Sequence, residues 1–140
     1  MNVVLDTNVL VSALLNPYGP PARLLDLVLL GKLIPFYDDR ILFEYRQVLH
    51  RERFGFEPQA VEALLQYLEL VGRRVVAAPL VGHTTVADPE DLMFLEVAHA
   101  GQAAALITGN LRHFPSNLRQ GVRVVEPAVF LGQWTQPSGG

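Results

Sequence analysis

The segment Val3-Val4-Leu5-Asp6 is the stretch that decides the fold class. Its first three residues are continuously apolar, which is typical of a strand in a parallel sheet that is covered on both faces. Thr7 or Asn8 is expected to cap a helix with apolar residues at positions 9, 10, 13 and 14, which the Asn-Pro pair at 16–17 stops. A buried strand followed directly by a helix indicates an α/β protein.

The rest of the chain continues this alternation. Four further apolar or β-branched runs are predicted to be strands, at residues 33–37, 75–78, 104–107 and 122–125. Segments with helical spacing lie between or after them, at residues 20–31, 38–51, 58–71, 88–101 and from 127 onward. Pro35 indicates an edge or irregular position for the second strand. We therefore predict a three-layer α/β/α sandwich with a mainly parallel sheet of about five strands, right-handed crossovers, and a site at the carboxyl ends of the strands.

Length and composition favour one domain. The chain has 140 residues and is 50% hydrophobic, so we expect a single domain over residues 1–133 and a short C-terminal tail over 134–140. The absence of cysteine excludes a disulfide framework, a thiol nucleophile and a zinc site built on thiolates. The N-terminus lacks the basic region of a signal peptide and no apolar run is long enough to span a bilayer, which predicts a cytoplasmic protein without membrane contact.

The charge balance weighs against broad coating of nucleic acid. The 11 basic and 14 acidic residues give a net charge of −3 at pH 7, the wrong sign for a protein that binds mainly by covering phosphates. Lys32 is the one lysine among the basic residues. The positive charge is therefore nearly all guanidinium, which pairs bidentately with phosphate or carboxylate, although a compositional bias of the source genome explains it equally well.

Three acids are set among apolar neighbours. Asp6 ends the first strand, Glu44 lies on an otherwise apolar line of its helix, and Asp91 heads the apolar stripe of another helix. Each has an ordinary alternative: Asp6 can cap a helix, Glu44 can pair with Arg40 or Lys32, and Asp91 can complement a helix dipole. Capping gives no reason for three acids on separate elements to converge at the edge where an α/β sheet keeps its site.

Clustered carboxylates repel each other unless a positive charge lies between them. The four histidines are scattered at spacings unlike a zinc pair, so an oxygen-only ligand set favours Mg²⁺ or Mn²⁺. Such an ion can lower the pKa of a bound water and stabilise charge that builds on a phosphoryl oxygen. The chemistry indicated is the cleavage of a phosphodiester.

These residues lie in a series of segments that is similar to the PIN-domain family, in the branch described as toxin components of toxin–antitoxin systems. The opening segment Val4–Leu14, which begins Val4-Leu5-Asp6-Thr7-Asn8, resembles the family's first motif, and segments 19–25, 41–49, 88–96, 106–110 and 113–115 follow in family order. The resemblance runs from about residue 3 to 131. It implies a compact three-layer α/β/α fold, RNA cleavage that depends on Mg²⁺ or Mn²⁺, frequent homodimers, and neutralisation by a partner antitoxin.

The resemblance also implies roles by position. Asp6, Glu44 and Asp91 are expected to be the catalytic and metal-binding acids, with Asp88 as an outer-shell or additional ligand. Asn110 occupies a position where many relatives have a fourth Asp. An amide oxygen can ligate a metal but brings no charge, so the choice between one and two ions stays open.

Supporting residues follow the same motifs. Thr7 is expected to orient Asp6 or a metal-bound water, and Asn8 and Thr108 to support the site. The implied reaction is hydrolysis of RNA by a metal-activated water in line with the leaving 3′ oxygen. Three residues are candidates to hold the flanking phosphates, although each can equally be a solvated surface residue: Arg46, Arg112 and His113.

Other readings of the acids remain. A haloacid-dehalogenase-type phosphatase needs a second Asp two residues after its nucleophile, where this chain has Asn8. A receiver domain needs an acidic pair and a lysine late in the chain, but the lysine here is Lys32. The main alternative is a PIN-like scaffold with weakened catalysis that serves as an RNA- or protein-binding module, for which Asn110 is the first indication.

Overall fold

A parallel sheet forms the centre of the molecule. The computed structural model describes residues 1–80 and 89–134. Within these ranges five strands are hydrogen-bonded side by side in the order β3-β2-β1-β4-β5, and every neighbouring pair is parallel. The strands are β1 (Asn2–Leu5), β2 (Ile34–Tyr37), β3 (Arg73–Arg74), β4 (Ala105–Ile107) and β5 (Val124–Val125).

Six α-helices connect and follow the strands in the described part of the chain. They are α1 (Thr7–Leu15), α2 (Pro20–Leu29), α3 (Asp39–Leu49), α4 (Pro58–Val71), α5 (Pro89–Ala100) and α6 (Pro127–Trp134). Short 3₁₀ turns lie at Glu52–Phe54, Leu111–His113 and Ser116–Leu118. Helix α6 includes Trp134, the first residue of the predicted tail, and the remainder of that tail lies outside the described residues. Among the described helices, none is long and apolar enough to cross a membrane.

The sheet grows in two directions from β1. The crossovers from β1 to β2 and from β2 to β3 step to one side, and those from β3 to β4 and from β4 to β5 step to the other. Because parallel crossovers are right-handed, the helices of the first two connections and α5 cover opposite faces. Helix α5 packs against β1, β2 and β4. This arrangement confirms the predicted three-layer α/β fold.

The centre of the core is strand β1. Val3, Val4 and Leu5 are each at most 1% exposed, because both faces of the strand are covered and β2 and β4 pair with its two edges. The continuous apolar run of β1 therefore reflects burial of both faces of the strand, as the sequence predicts. The burial of β1 fixes the position of the residue that follows it.

Of the two positions predicted for Pro35, edge or irregular, the edge is wrong, because β2 lies between β1 and β3. Successive N–H groups of a strand point to opposite neighbours, and the Ile34 N–H donates to the Met1 carbonyl on the β1 side at 2.9 Å. The Pro35 nitrogen therefore faces β3, where pairing begins only at Phe36. The lack of an N–H group on Pro35 therefore costs the sheet no hydrogen bond.

The third strand also differs from its prediction, since β3 is Arg73–Arg74 and not 75–78. Gly72 ends α4 and lies so close to β2 that an added Cβ would be 2.5 Å from the Pro35 carbonyl oxygen. This close approach allows the chain to pair with β2 directly after the helix. Val75 donates one more backbone hydrogen bond, to the Tyr37 carbonyl at 2.7 Å.

Candidate active site

The candidate site begins where β1 and β4 end side by side. The sheet changes its direction of growth between these two strands, and a crevice forms at such a switch point outside the carboxyl ends of the strands. Asp6 follows β1 and Thr108 follows β4. The Asp6 backbone N–H donates to the Ile107 carbonyl at 2.9 Å, which fixes the two chain segments against each other.

The Asp6 side chain is buried and has polar neighbours on three sides. It is 4% exposed. Its Oδ2 accepts hydrogen bonds from the Thr108 hydroxyl at 2.7 Å and from Asn8 Nδ2 at 3.2 Å, and His113 Nδ1 lies 3.4 Å away. Asp6 occupies the N-cap position of α1, but its side chain makes no capping hydrogen bond. Capping therefore does not account for this carboxylate.

Asn8 and Thr108 join the two strand ends around Asp6. Asn8 Oδ1 accepts from the Gly109 N–H at 2.9 Å, and its Nδ2 lies 3.4 Å from the Thr108 hydroxyl oxygen. Thr108 is 0% exposed, and its hydroxyl also accepts from the Asn110 N–H at 3.0 Å. Both residues, predicted as supporting positions, thus hold the loop after β4 against the loop after β1.

Glu44 reaches the same region from α3. Its carboxylate accepts a hydrogen bond from the Thr7 hydroxyl. Thr7, expected to orient Asp6 or a metal-bound water, is therefore bonded to another of the three predicted acids. Arg40, considered as a partner for Glu44, instead pairs with Asp38 at 2.8 Å and Glu96 at 2.7 Å.

The surroundings of Glu44 raise its pKa. Burial is the largest cause, and the negative charges of Glu90 and Asp6 act in the same direction. The hydrogen bond from Thr7 and the positive charge of Arg51 oppose the rise. Burial, with a smaller contribution from the nearby carboxylates, therefore favours the protonated form of Glu44.

The acids share one cleft of about 570 Å³. Asp6, Glu44 and the half-buried Asp91 all line it, although they come from the end of β1, from α3 and from the first turn of α5. The other residues that line it are Thr7, Asn8, Val11, Val48, Arg51, Arg53, Phe54, Glu90 and His113. The structure thus brings the three predicted acids to one place.

The cleft acids have the ligand chemistry that a hard cation prefers, but their side chains are not spaced as a ready ligand set. Within residues 1–80 and 89–134, no three histidine or acidic side chains are close enough to form a ready ligand set for an ion. The donors are nevertheless carboxylate oxygens, which Mg²⁺ and Mn²⁺ prefer. A cation between them would also relieve the repulsion that raises the pKa of Glu44. The residues fit such an ion if the side chains rotate toward it.

Asn110 makes other contacts beside the cleft. Its Oδ1 accepts from the Arg112 N–H at 3.1 Å, which caps the 3₁₀ turn Leu111–His113, and its Nδ2 lies 3.1 Å from His113 Nε2. His113 lines the cleft, whereas Arg112 is exposed and does not. Asp88 lies outside the described residues.

Arg46 lies apart from the cleft lining. Its Nε is 3.2 Å from Glu62 on α4, and His50 Nε2 is 2.6 Å from the same carboxylate. The hydrogen bonds from His50 and Arg46 lower the pKa of Glu62. This guanidinium, predicted to hold a phosphate, is thus paired with a carboxylate within the protein.

Three charged residues of the cleft are absent from the predicted site. Glu90 precedes Asp91 and reads in the sequence as a first-turn acid that favours the helix dipole. Arg51 and Arg53 follow α3, which ends at Leu49 and not at about Arg51 as predicted. The signal that could have found them is the run of residues 51–56, Arg-Glu-Arg-Phe-Gly-Phe, directly after the helix that carries Glu44.

Comparison with known proteins gives two matches. A family model described as PIN domain matches residues 2–112, a range that contains Asp6, Glu44, Asp91 and Asn110. The uncharacterized protein MJ1680 of Methanocaldococcus jannaschii is 31% identical over 114 residues, which cover 79% of this chain and 71% of that protein.

Proposed function

The chain belongs to the PIN-domain family, whose members are generally nucleases that use divalent metals, and we propose that it is a metal-dependent endoribonuclease. The observation that carries the proposal is the shared cleft of Asp6, Glu44 and Asp91. These acids come from three separate elements and meet at the switch point of the sheet. The positions that matched the family motif are thus also neighbours in space.

The acids would hold one Mg²⁺ or Mn²⁺ ion, which supplies a water of lowered pKa and offsets charge on the phosphoryl oxygen. Asp6 is positioned for this role because Thr108 and Asn8 fix its carboxylate. Thr7 fixes Glu44 in the same way. The surrounding protein therefore orients two of the three acids before any ligand binds, which lowers the cost of ordering them.

The biological setting of the proposal is a toxin–antitoxin pair in the cytoplasm. The motif series resembles the toxin branch of the family, which supports a cognate antitoxin and a homodimer as partners besides the RNA substrate. Expression of the wild-type chain in cells is expected to arrest growth, whereas Asp6→Asn is expected to permit it. Equal growth under both would remove the toxin role and leave the nuclease proposal standing.

The direct test is cleavage of single-stranded RNA by the purified protein with Mn²⁺. We expect Asp6→Asn to reduce cleavage to the level of a sample without metal, and to leave the melting temperature of the metal-free protein unchanged or higher. Asp26→Asn on α2 is the matched control, because Asp26 is exposed and lies outside the cleft lining. Cleavage by Asp6→Asn at the wild-type rate would refute the assignment.

A binding module is the second candidate function. The Asn110 amide already makes hydrogen bonds within the protein, and no ready ligand set exists among the described residues. A Mn²⁺ titration followed by thermal unfolding separates the two functions. Binding of an ion adds about 2.7 kcal/mol to the free energy of unfolding when the ion is at 100 times its dissociation constant. No change in melting temperature at millimolar Mn²⁺ would favour the binding module.

A further inference from the structure

Two arginines stand out among the residues of the acidic cleft. Arg51 and Arg53 line it together with Asp6 and Glu44. Both arginine side chains are exposed. In the part of the chain that the structure describes, neither forms a salt bridge, although Arg46 is paired with Glu62. Their charge is therefore available to a ligand in the cleft.

An aromatic stack holds Arg53 in place. The Arg53 guanidinium lies over the ring of Phe54, 4.8 Å from its centroid. Phe54 in turn stacks on Phe56, with ring centroids 5.5 Å apart and an interplanar angle of 14°. Phe56 packs against the hydrophobic core. A chain of contacts thus runs from the core to a cation at the cleft, which restricts the motion of a side chain that is otherwise flexible.

Gly55 allows the stack to form. It follows the 3₁₀ turn with φ of 67° and ψ of 20°, a left-handed conformation. This left-handed residue lies between the two phenylalanines whose rings stack. An added Cβ would meet no atom within 4 Å, so the requirement for glycine here comes from the backbone alone.

Arg51 acts from the other end of the same turn. It is the N-cap residue of Glu52–Phe54. It lines the cleft together with Glu44 and Asp6. A phosphate that approaches Glu44 therefore meets Arg51 as well.

We propose that residues 51–56 form a phosphate grip, in which Arg51 and Arg53 bind backbone phosphates of single-stranded RNA next to the acidic cleft. The inference rests on the proposed function and names the part of the substrate that the cleft holds. The need for such a grip follows from charge, because the whole chain carries −3 and the cleft collects four acids among the described residues alone. A polyanion requires local cations to approach such a surface. Planar guanidinium groups match the oxygens of phosphate.

The test measures binding, so that it does not depend on cleavage. The probe is a fluorescent single-stranded RNA of about 12 nucleotides, within the usual site sizes for single strands, and its anisotropy is followed in EDTA. We expect Arg51→Gln and Arg53→Gln each to lose about tenfold in affinity at low salt. The double variant should reduce the slope of log affinity against log salt by about 1.4, the value for two phosphate contacts on a single strand.

Matched variants separate the grip from general charge. Arg23→Gln removes the same charge from the pocket between α2 and α6, away from the cleft, and should bind RNA as the wild type does. Phe54→Ala keeps both arginines but removes the aromatic ring over which the Arg53 guanidinium lies. It should lower the affinity while the salt slope stays close to that of the wild type. Because phosphates carry no sequence information, the losses should be the same for RNAs of different sequence.

The outcomes are distinguishable from those of the nuclease test. Wild-type affinity and slope in the double variant would overturn the grip even if Asp6→Asn still abolishes cleavage. Equal losses in Arg23→Gln and Arg53→Gln would also overturn it, since binding would then follow net charge alone. Loss of binding in the grip variants, with no cleavage by the wild type under any metal, would retain the grip and refute the nuclease.

Discussion

The Thr108 hydroxyl donates to the Asp6 carboxylate at 2.7 Å, across 102 residues of sequence. Both side chains are buried, with Thr108 at 0% and Asp6 at 4% exposed. A buried carboxylate without sufficient donors is costly. This contact therefore contributes both to the stability of the fold and to the orientation of Asp6, the proposed metal ligand.

Thr108→Val should lower the free energy of unfolding by about 1–3 kcal/mol, because it removes the hydroxyl from a buried hydrogen bond while it keeps the volume. Urea unfolding of the metal-free protein measures the change. Thr108→Ser retains the hydroxyl and should keep most of the stability. Equal stability of the valine variant would show that Asn8 and His113 satisfy Asp6 without Thr108.

The raised pKa of Glu44 predicts a pH dependence of stability. A carboxyl whose pKa is higher in the folded protein than its ordinary value of 4.5 favours folding at low pH, and this contribution is lost as the pH rises through the folded value. Glu44→Gln keeps an oxygen for the Thr7 hydroxyl but cannot ionise. The metal-free variant should match the wild type at about pH 4 and be more stable at about pH 7.

Thermal unfolding across this pH range measures the Glu44 effect. Glu69→Gln, an exposed position on α4 outside the cleft lining, should follow the wild type throughout. Addition of Mn²⁺ at neutral pH should reverse the order, because the wild type then gains a ligand that the variant lacks. A Glu44→Gln curve parallel to the wild type would contradict the raised pKa of Glu44.

Tyr45 ties α3 to the end of β1. Its hydroxyl donates to the Leu5 carbonyl at 2.5 Å, and its burial raises the pKa of the phenol well above the usual value, so that it remains a donor. Tyr45→Phe should cost about 1–2 kcal/mol of stability. It should also weaken the Mn²⁺-induced rise in melting temperature, since Glu44 is the neighbouring residue on α3.

A matched deletion of a hydroxyl separates the two effects of Tyr45. The Tyr37 hydroxyl donates to the Glu69 carbonyl at 3.1 Å, outside the cleft lining. Tyr37→Phe should therefore reduce stability but leave the Mn²⁺-induced shift as in the wild type. The same Mn²⁺ response in both variants would show that Tyr45 has a structural role alone.

Asn110→Asp tests whether this position approaches the metal. One carboxylate oxygen can still accept from the Arg112 N–H, as the amide oxygen does. The added charge should tighten Mn²⁺ binding about tenfold, measured by calorimetry, and lower the stability of the metal-free protein. Asn117→Asp, on an exposed 3₁₀ turn, makes the same charge change as a control. Unchanged binding in Asn110→Asp would exclude position 110 from the ligand set.

The sequence was sufficient for the fold class because its strands are short, apolar and separated by helical segments. Boundaries were predicted less well where tertiary contacts set them. β3 begins directly after Gly72 because the chain lies against the Pro35 carbonyl, and no local propensity at Arg73 or Arg74 indicates a strand. Pro35 is misleading in the sequence, because whether a proline removes a hydrogen bond from a sheet depends on which neighbouring strand its nitrogen faces.

The acids of the site were predictable and their partners were not. Asp6, Glu44 and Asp91 stand out because a carboxylate among apolar residues has no local explanation. An arginine near the surface has many local explanations, and nothing near Arg46 in the sequence indicates that its partner is Glu62 on another helix. Arg53 gains its place from the stack on Phe54, a contact that depends on the left-handed bend at Gly55.

The pairing of Asp6 with Thr108 has a consequence for synthesis of the chain. A ribosome adds residues at about 5–20 per second, so about 5–20 s separate the two positions during translation. Until β4 has emerged and paired with β1, Asp6 has neither its Thr108 donor nor the Ile107 carbonyl beside it. A chain that has not yet extended past β4 therefore carries an incomplete cleft, and the proposed activity begins only after Thr108 has left the ribosome.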